Sequence, residues 1–217
     1  MREIVVFGGS AHPDLSAEIC VDLGVPLRPV HLSRFANDCL EVQLLANCRE
    51  RDVFIIQPLG PPVQENLVEL LLMLDAARGA SAARVTAVIP YYSYARSDKK
   101  SKPRISIGGR LVADLLATAG ASRVLTMTLH APQVHGFFAV PVDHLHALRE
   151  IASHFSGLDL ANSVVVSPDL GNAKNPCTCG ACKVIVSTRL APAVASRSAT
   201  SRPPIEIRGL DFLSERA

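Results

Sequence analysis

Residues 87–100 read AVIPYYSYARSDKK: an apolar run gives way to Tyr91, Tyr92, Tyr94, Arg96, Asp98, Lys99 and Lys100. A guanidinium carries a planar fork of donors that matches phosphate oxygens, and ammonium groups add point charge beside it. Open α/β sheets hold their ligands at the carboxyl ends of strands, so a strand ending in this cluster points to phosphate chemistry and to a nucleotide-phosphate enzyme. The lysines receive no role, because a loop with Lys99, Lys100 and Arg104 reads equally well as a solvated charge run. His130 follows a second apolar run, at 124–129, where an imidazole can meet a metal or a backbone group. Asp169 follows Pro168 at the end of a third run and can face a ligand or cap a helix. Cys177, Cys179 and Cys182 have the chemistry of a zinc loop, but no second Cys-x-x-Cys or nearby histidine completes a tetrahedral set.

These residues need elements to hold them. Strands are expected at 3–7, 27–32, 40–45, 53–57, 84–90, 124–130 and 163–167, from their β-branched and apolar content. Helices are expected between them. Residues 14–23 close on Gly24. Residues 63–77 put Leu67, Leu70, Leu71 and Leu74 on one face, and Val68, Leu72 and Met73 widen it almost all round, as in a helix covered on two sides. Residues 106–118 carry Ile107, Leu111 and Leu115 and pack through Gly108 and Gly109 against a neighbouring backbone. A last helix is expected at 143–155, from an acidic cap to Gly157. The β-α-β rhythm predicts a mostly parallel sheet with helices on both faces.

Composition agrees with a globular chain: 217 residues, 48% hydrophobic, can bury a sizeable core. A net charge of +2 does not suggest a nucleic-acid coat, so positive potential belongs to a local site. No run approaches the roughly eighteen apolar residues of a membrane span, and the start of the chain enters a strand pattern rather than a signal peptide. The expectation is a cytoplasmic protein with no nucleic-acid or membrane partner. Cys20, Cys39 and Cys48 are scattered, as ordinary thiols of a reducing compartment.

Several blocks together resemble ribose-phosphate diphosphokinases. They are Arg34 and Phe35; the 53–57 run VFIIQ; the 66–70 run NLVEL; the 90–100 block; the 129–133 run LHAPQ; Gly136, Phe137 and Phe138; the 141–143 run PVD; and the 166–169 run VSPD. Agreement over residues 3–174 is more specific than any single motif. The resemblance implies transfer of the diphosphoryl group of ATP to ribose 5-phosphate, giving phosphoribosyl diphosphate and AMP for nucleotide biosynthesis. The resemblance also implies Mg2+ as cofactor and a homo-oligomer in which a neighbouring subunit often supplies part of the nucleotide site. It implies ATP-binding roles for Phe35, which stacks on adenine, and for Arg96, which reaches the phosphates, with Asn37 and Ser97 beside them. His130 and Asp169 are implied as metal-binding, Asp169 also near the ribose phosphate. His135, His144 and His146 have no such support and are expected on surfaces or subunit contacts.

The chain departs from the family pattern at two points of the nucleotide site and again after Lys174. Asn37 and Cys39 stand where two acids are usual, and Ser97 where glutamine is usual. After Lys174 the family's loop with a catalytic lysine and its acidic phosphoribosyl-binding loop are not recognisable. Pro176 forbids simple helix continuation there. A loss of reading frame near Lys174 would yield such a tail, and a zinc loop is the competing reading. The expected fold is α/β: a Rossmann-like, phosphoribosyltransferase-type domain with a parallel sheet at 1–142, the start of a second such domain at 143–174, and a divergent tail at 175–217. The alternative function is a catalytically deficient paralogue that binds nucleotide or associates with full-length subunits. A phosphoribosyltransferase is a weaker third reading, since its acidic loop is missing.

Overall fold

The computed structural model describes residues 3–155, 164–167 and 183–186, and the chain divides into two compact units, Met1–Ala147 and Leu148–Ala217. In chain order the first unit contains β1 (Ile4–Gly8), α1 (Pro13–Leu23), β2 (Leu27–Arg28), β3 (Val30–Arg34), β4 (Leu40–Leu44), β5 (Asp52–Ile56), α2 (Val63–Gly79), β6 (Arg84–Ile89), α3 (Gly108–Ala119), β7 (Arg123–Met127) and β8 (Val142–Leu145). Six strands form one sheet in the order β2-β1-β5-β6-β7-β8, every neighbouring pair parallel. The chain steps from β1 outward to β2, then returns to β5 on the other side of β1. The switch point of this doubly wound sheet therefore lies between β1 and β5.

Each face is covered because its residues alternate. Val5, Phe7, Val53, Ile55, Val85, Ala87, Ile89 and Val124 pack with Leu67, Leu70, Met73 and Leu74 of α2 and with Val112 and Leu116 of α3. Val6, Ile56 and Val88 point to the opposite face and pack with Cys20 of α1. Full burial of a side chain such as Leu70 or Leu74 contributes about 1.5–3 kcal/mol. Gly24 ends α1 at φ 65°, a left-handed cap whose N–H bonds back to the last turn. On α2 the inward stripe is Asn66, Leu67, Glu69, Leu70, Met73, Leu74 and Ala77. Leu71 is only partly buried and Val68 is exposed, so the face is narrower than the sequence suggests.

Two expected elements are divided. Residues 27–32 are not one strand: Pro29, with no N–H to donate, separates β2, in the parallel sheet, from β3, which pairs antiparallel with β4 as a hairpin outside that sheet. Residues 143–155 are not one helix either. Val142–Leu145 extends the sheet beside β7, and Asp143, read as a helix cap, instead forms a 3.1 Å ion pair with Arg123 of β7. Pairing along the open edge of β7 outcompetes the helical pattern, which resumes only at α4 (Leu148–Phe155).

In the second unit, α4 is joined by two parallel strands, β9 (Val164–Ser167) and β10 (Lys183–Val186). Asp169, Cys177, Cys179 and Cys182 and the 187–217 tail lie outside the described residues. Among the described residues no helix is long and apolar enough to cross a membrane.

Candidate functional site

At Pro90 the β6 ladder stops, and a short 3₁₀ helix, Ser93–Arg96, lifts the chain over the end of the sheet. Its inner side is anchored. Ala95 is buried, and the buried Tyr92 donates its hydroxyl to the Gly109 carbonyl at 2.8 Å while its ring tilts against Phe138. Burial pushes the Tyr92 phenol well above its ordinary pKa and keeps it a neutral donor. One of the three tyrosines is therefore structural. Arg96 is exposed, and its guanidinium makes no hydrogen bond or ion pair with any of the described residues.

Ser97 has other work. Its hydroxyl accepts from the Gly108 N–H at 2.9 Å and lies 3.4 Å from the Ser106 carbonyl, while the Ser97 carbonyl accepts from Gly109 N–H at 3.1 Å. The residue before α3 is Ile107, which has no capping side chain, so Ser97 satisfies these orphan donors from the preceding loop. This approach explains the paired glycines: a Cβ at Gly109 would lie 2.9 Å from the Tyr94 carbonyl and 3.3 Å from that of Ser97.

The neighbouring strand β7 leads to His130. Thr128 takes φ 47°, a left-handed conformation rare for a β-branched residue. Its N–H donates to Leu145 O at 2.8 Å, and Leu129 N–H donates to His144 Nε2 at 2.9 Å. The next residue, His130, is exposed. A 3₁₀ helix, Pro132–Phe137, follows and is anchored by the buried Val134. From it Gln133 Nε2 donates to Asp98 Oδ2 at 2.6 Å. That bond ties the loop carrying His130 to the loop carrying Arg96. Of the histidines expected on surfaces, His135 and His146 are exposed and His144 is half-buried; His135 Nε2 lies 3.2 Å from the Val142 carbonyl, and the His144 and His146 rings meet tilted by 49° with centroids 4.2 Å apart. Burial, with His146 and His135 nearby, holds the His144 pKa below its ordinary value.

Lys99, Lys100, Lys102 and Arg104 follow Arg96 in the same loop, all exposed and without ion pairs among the described residues. The loop therefore presents uncompensated positive charge at a strand's carboxyl end, suited to a polyanion. Among the described residues no group of three His, Cys, Asp or Glu side chains could hold a metal unaided. A hard cation such as magnesium prefers oxygen ligands and keeps several waters, so a single exposed imidazole could only complete a shell supplied mainly by water and phosphate oxygens.

Phe35 and Asn37 occupy a different place, the tip of the β3–β4 hairpin. Phe35 itself is 54% exposed. The turn is closed by Phe35 N–H to Cys39 O and Asp38 N–H to Phe35 O, both 2.9 Å, and Asn37 Oδ1 accepts from Cys39 N–H at 3.2 Å. Arg34 pairs with Asp38 at 2.7 Å and with Glu65 of α2, fixing the hairpin on that helix. Among the described residues, no hydrogen bond or ion pair joins this tip to the Arg96 or His130 loops.

Sequence reading missed the polar network at the switch point. Glu69, 3% exposed, accepts from Ser10 N–H at 2.8 Å, Ser10 Oγ at 2.5 Å and Gln57 Nε2 at 2.9 Å. Gln57 Oε1 in turn accepts from Ala11 N–H at 3.2 Å. Above it lies an open crevice of about 520 Å³ bordered by Ser10, Arg34, Leu40, Asn66 and Glu69. The available signal was a glutamine at the end of an apolar strand and a glutamate on the inward stripe of an apolar helix. The polar groups of this crevice are already partnered, and the loops with free charge lie at the ends of β6 and β7.

Residues 4–120 match the family profile described as the N-terminal domain of ribose phosphate pyrophosphokinase. A Streptomyces coelicolor relative is 76% identical over 174 residues, covering 80% of this chain and 55% of the relative. The ribose-phosphate pyrophosphokinase of Deinococcus radiodurans is 58% identical over 173 residues, 79% of this chain and 54% of its own length. The crystal structure of phosphoribosylpyrophosphate synthetase from Mycobacterium smegmatis superposes with a TM-score of 0.78 at 37% identity, covering 87% of this chain and 65% of that one. The chain thus spans about half the length of the curated relatives it matches.

Proposed function

This chain belongs to the ribose phosphate pyrophosphokinase family, and from that premise we propose that it carries the ATP-handling side of phosphoribosyl diphosphate synthesis. The reaction joins the anomeric hydroxyl oxygen of ribose 5-phosphate to the β-phosphorus of ATP. The bond from that phosphorus to the oxygen bridging the α-phosphate breaks, AMP leaves with the electron pair, and the hydroxyl proton is released. Such transfer asks for positioning and charge neutralisation more than covalent chemistry. Magnesium, bound with the nucleotide, supplies charge neutralisation between the phosphates. His130 is the described side chain proposed to meet that ion, and Arg96 to fork onto the phosphate oxygens, with the lysines at 99, 100 and 102 adding attraction.

The observation that carries this reading is the Gln133–Asp98 bond, which holds the Arg96 and His130 loops together at the ends of adjacent strands. Ser97 supports the site through α3 rather than by touching nucleotide. Phe35 and Asn37, on a braced hairpin tip, are proposed to serve the nucleotide of a neighbouring copy in a homo-oligomer. Asp169 is assigned to the ribose phosphate and metal on sequence alone. The enzyme is proposed to work in the cytoplasm.

The test is titration of the chain with Mg-ATP, followed by an AMP-release assay with ATP, magnesium and ribose 5-phosphate. Binding is expected to weaken at least tenfold in Arg96→Ala and His130→Ala, and AMP release to disappear. Equal Mg-ATP affinity in wild type and both variants would sink the assignment. No AMP release despite binding would limit the chain to nucleotide binding.

A further inference from the structure

Thr128 is the only residue between β7 and the His130 loop with a left-handed backbone, φ 47°. A strained, non-glycine conformation costs on the order of 1–3 kcal/mol and persists only when the surroundings over-determine it. Here the surroundings are three bonds from the β8 side. Thr128 N–H donates to Leu145 O at 2.8 Å, Leu129 N–H donates to His144 Nε2 at 2.9 Å, and Ala147 N–H donates to Thr128 Oγ1 at 3.3 Å. The backbone bond to Leu145 merely prolongs the parallel ladder, in which Thr126 sits opposite His144 and Met127 opposite Leu145. The bond to His144 does something else. It captures a main-chain donor after the ladder has ended, with a side chain, one residue before His130.

For Nε2 to accept, His144 must be neutral with its proton on Nδ1. Its surroundings favour the neutral ring: it is half-buried and its ring lies tilted against that of His146, centroids 4.2 Å apart. The left-handed turn at Thr128 and the capture of Leu129 together fix where the chain leaves the sheet, and so where the His130 imidazole begins. We propose that His144 is a positioning residue that locks the Thr128–Leu129 turn and thereby aims His130 at the cation carried by the bound nucleotide. This inference rests on the reading of His130 as the group that meets magnesium.

The experiment uses the full chain and two substitutions at one position. Gln at 144 can place an acceptor near the Nε2 position, whereas Leu keeps bulk and loses the acceptor. Amide hydrogen exchange read by NMR should show Leu129 exchanging about tenfold faster in His144→Leu, as expected for one lost hydrogen bond, and within about twofold of wild type in His144→Gln. Calorimetric titration should show Mg-ATP affinity falling roughly fivefold to tenfold in His144→Leu, while ATP with chelator in place of magnesium binds all three proteins alike. In a His130→Ala background, His144→Leu should have no further effect on Mg-ATP.

Several results would overturn the proposal. One is an unchanged Leu129 exchange rate in a folded His144→Leu protein. Another is a loss of affinity equal with and without magnesium, which marks general destabilisation. A third is an additive loss in the His130→Ala background. If His130→Ala alone leaves Mg-ATP binding intact, the reading of His130 fails and the aim at a cation falls with it, even where the exchange data uphold the lock on Leu129.

Discussion

At the carboxyl ends of neighbouring strand pairs, the same sheet uses polar residues in opposite ways. At the ends of β1 and β5, Ser10, Gln57, Asn66 and Glu69 are drawn inward and bonded to one another and to backbone. At the ends of β6 and β7, Arg96 and His130 stand exposed on loops whose roots, Ala95 and Val134, are buried. The first arrangement spends its hydrogen-bonding capacity on the fold. The second keeps it for something absent from the fold. A polar side chain points to ligand binding when its scaffold is rigid and its own valences are open, and a hollow is not by itself the better candidate.

The contrast is broken most forcefully at Glu69. Replacing it by Leu leaves Ser10 N–H and Oγ without their acceptor and takes one of two acceptors from the Gln57 amide in a buried place, so stability should drop by about 3 kcal/mol. Urea denaturation measures this, and ATP affinity at a temperature where the variant is folded should stay within about twofold. A large loss of ATP affinity at full stability would mean that the switch-point network serves the ligand after all. Arg96→Ala should behave in the reverse sense. Loss of a charge-assisted fork costs about 2 kcal/mol of binding, roughly thirtyfold, with the melting temperature unchanged, since no described residue depends on the guanidinium. Calorimetry and thermal melts on the same sample decide it.

That separation was only partly legible beforehand. The parallel strands were readable because strands buried on both faces, such as Val53–Ile56 and Val85–Ile89 on either side of Thr86, are continuous apolar runs. Arg96 stood out for the same reason, as a charge where such a run stops. What the sequence hid depends on long-range partners. Asp143 has the look of a helix cap until β7 presents an open edge and Arg123 beside it. Ser97 looks free until α3 arrives with two unsatisfied N–H groups. Glu69 looks like one more surface acid until α2 is seen to turn it toward Ser10, 59 positions earlier in the chain. Local periodicity carries the elements, and pairings between distant segments decide which polar groups remain available.

Gly109→Ala probes the scaffold beneath the open site. The new Cβ would meet the Tyr94 carbonyl at 2.9 Å, and backbone cannot yield as a flexible side chain can. Overpacking of this kind costs about 1–2 kcal/mol, and the displaced 3₁₀ turn should weaken ATP binding several-fold although residue 109 touches no ligand. Gly60→Ala, where a Cβ meets nothing within 4 Å, is the control and should leave affinity unchanged. Equal behaviour of the two alanine variants would show that the Arg96 loop tolerates movement.

The smallest effect belongs to the link between the two loops, and it is informative because two substitutions at its ends should act in opposite directions. Gln133→Ala removes the 2.6 Å donor to Asp98 and leaves a carboxylate two residues from Arg96 with no partner among the described side chains. An exposed bond of this kind contributes about 0.5–1 kcal/mol. The freed acid can also pair with the guanidinium that phosphate would otherwise take, so Mg-ATP affinity should fall about threefold. Asp98→Asn keeps an oxygen for Gln133 Nε2 and removes the competing charge. Its affinity should equal or slightly exceed that of wild type, the gain fading as salt screens the loop. If Asp98→Asn instead weakens binding as much as Gln133→Ala does, the carboxylate itself takes part in holding the ligand, and the acid belongs with Arg96 and His130 rather than with the scaffold.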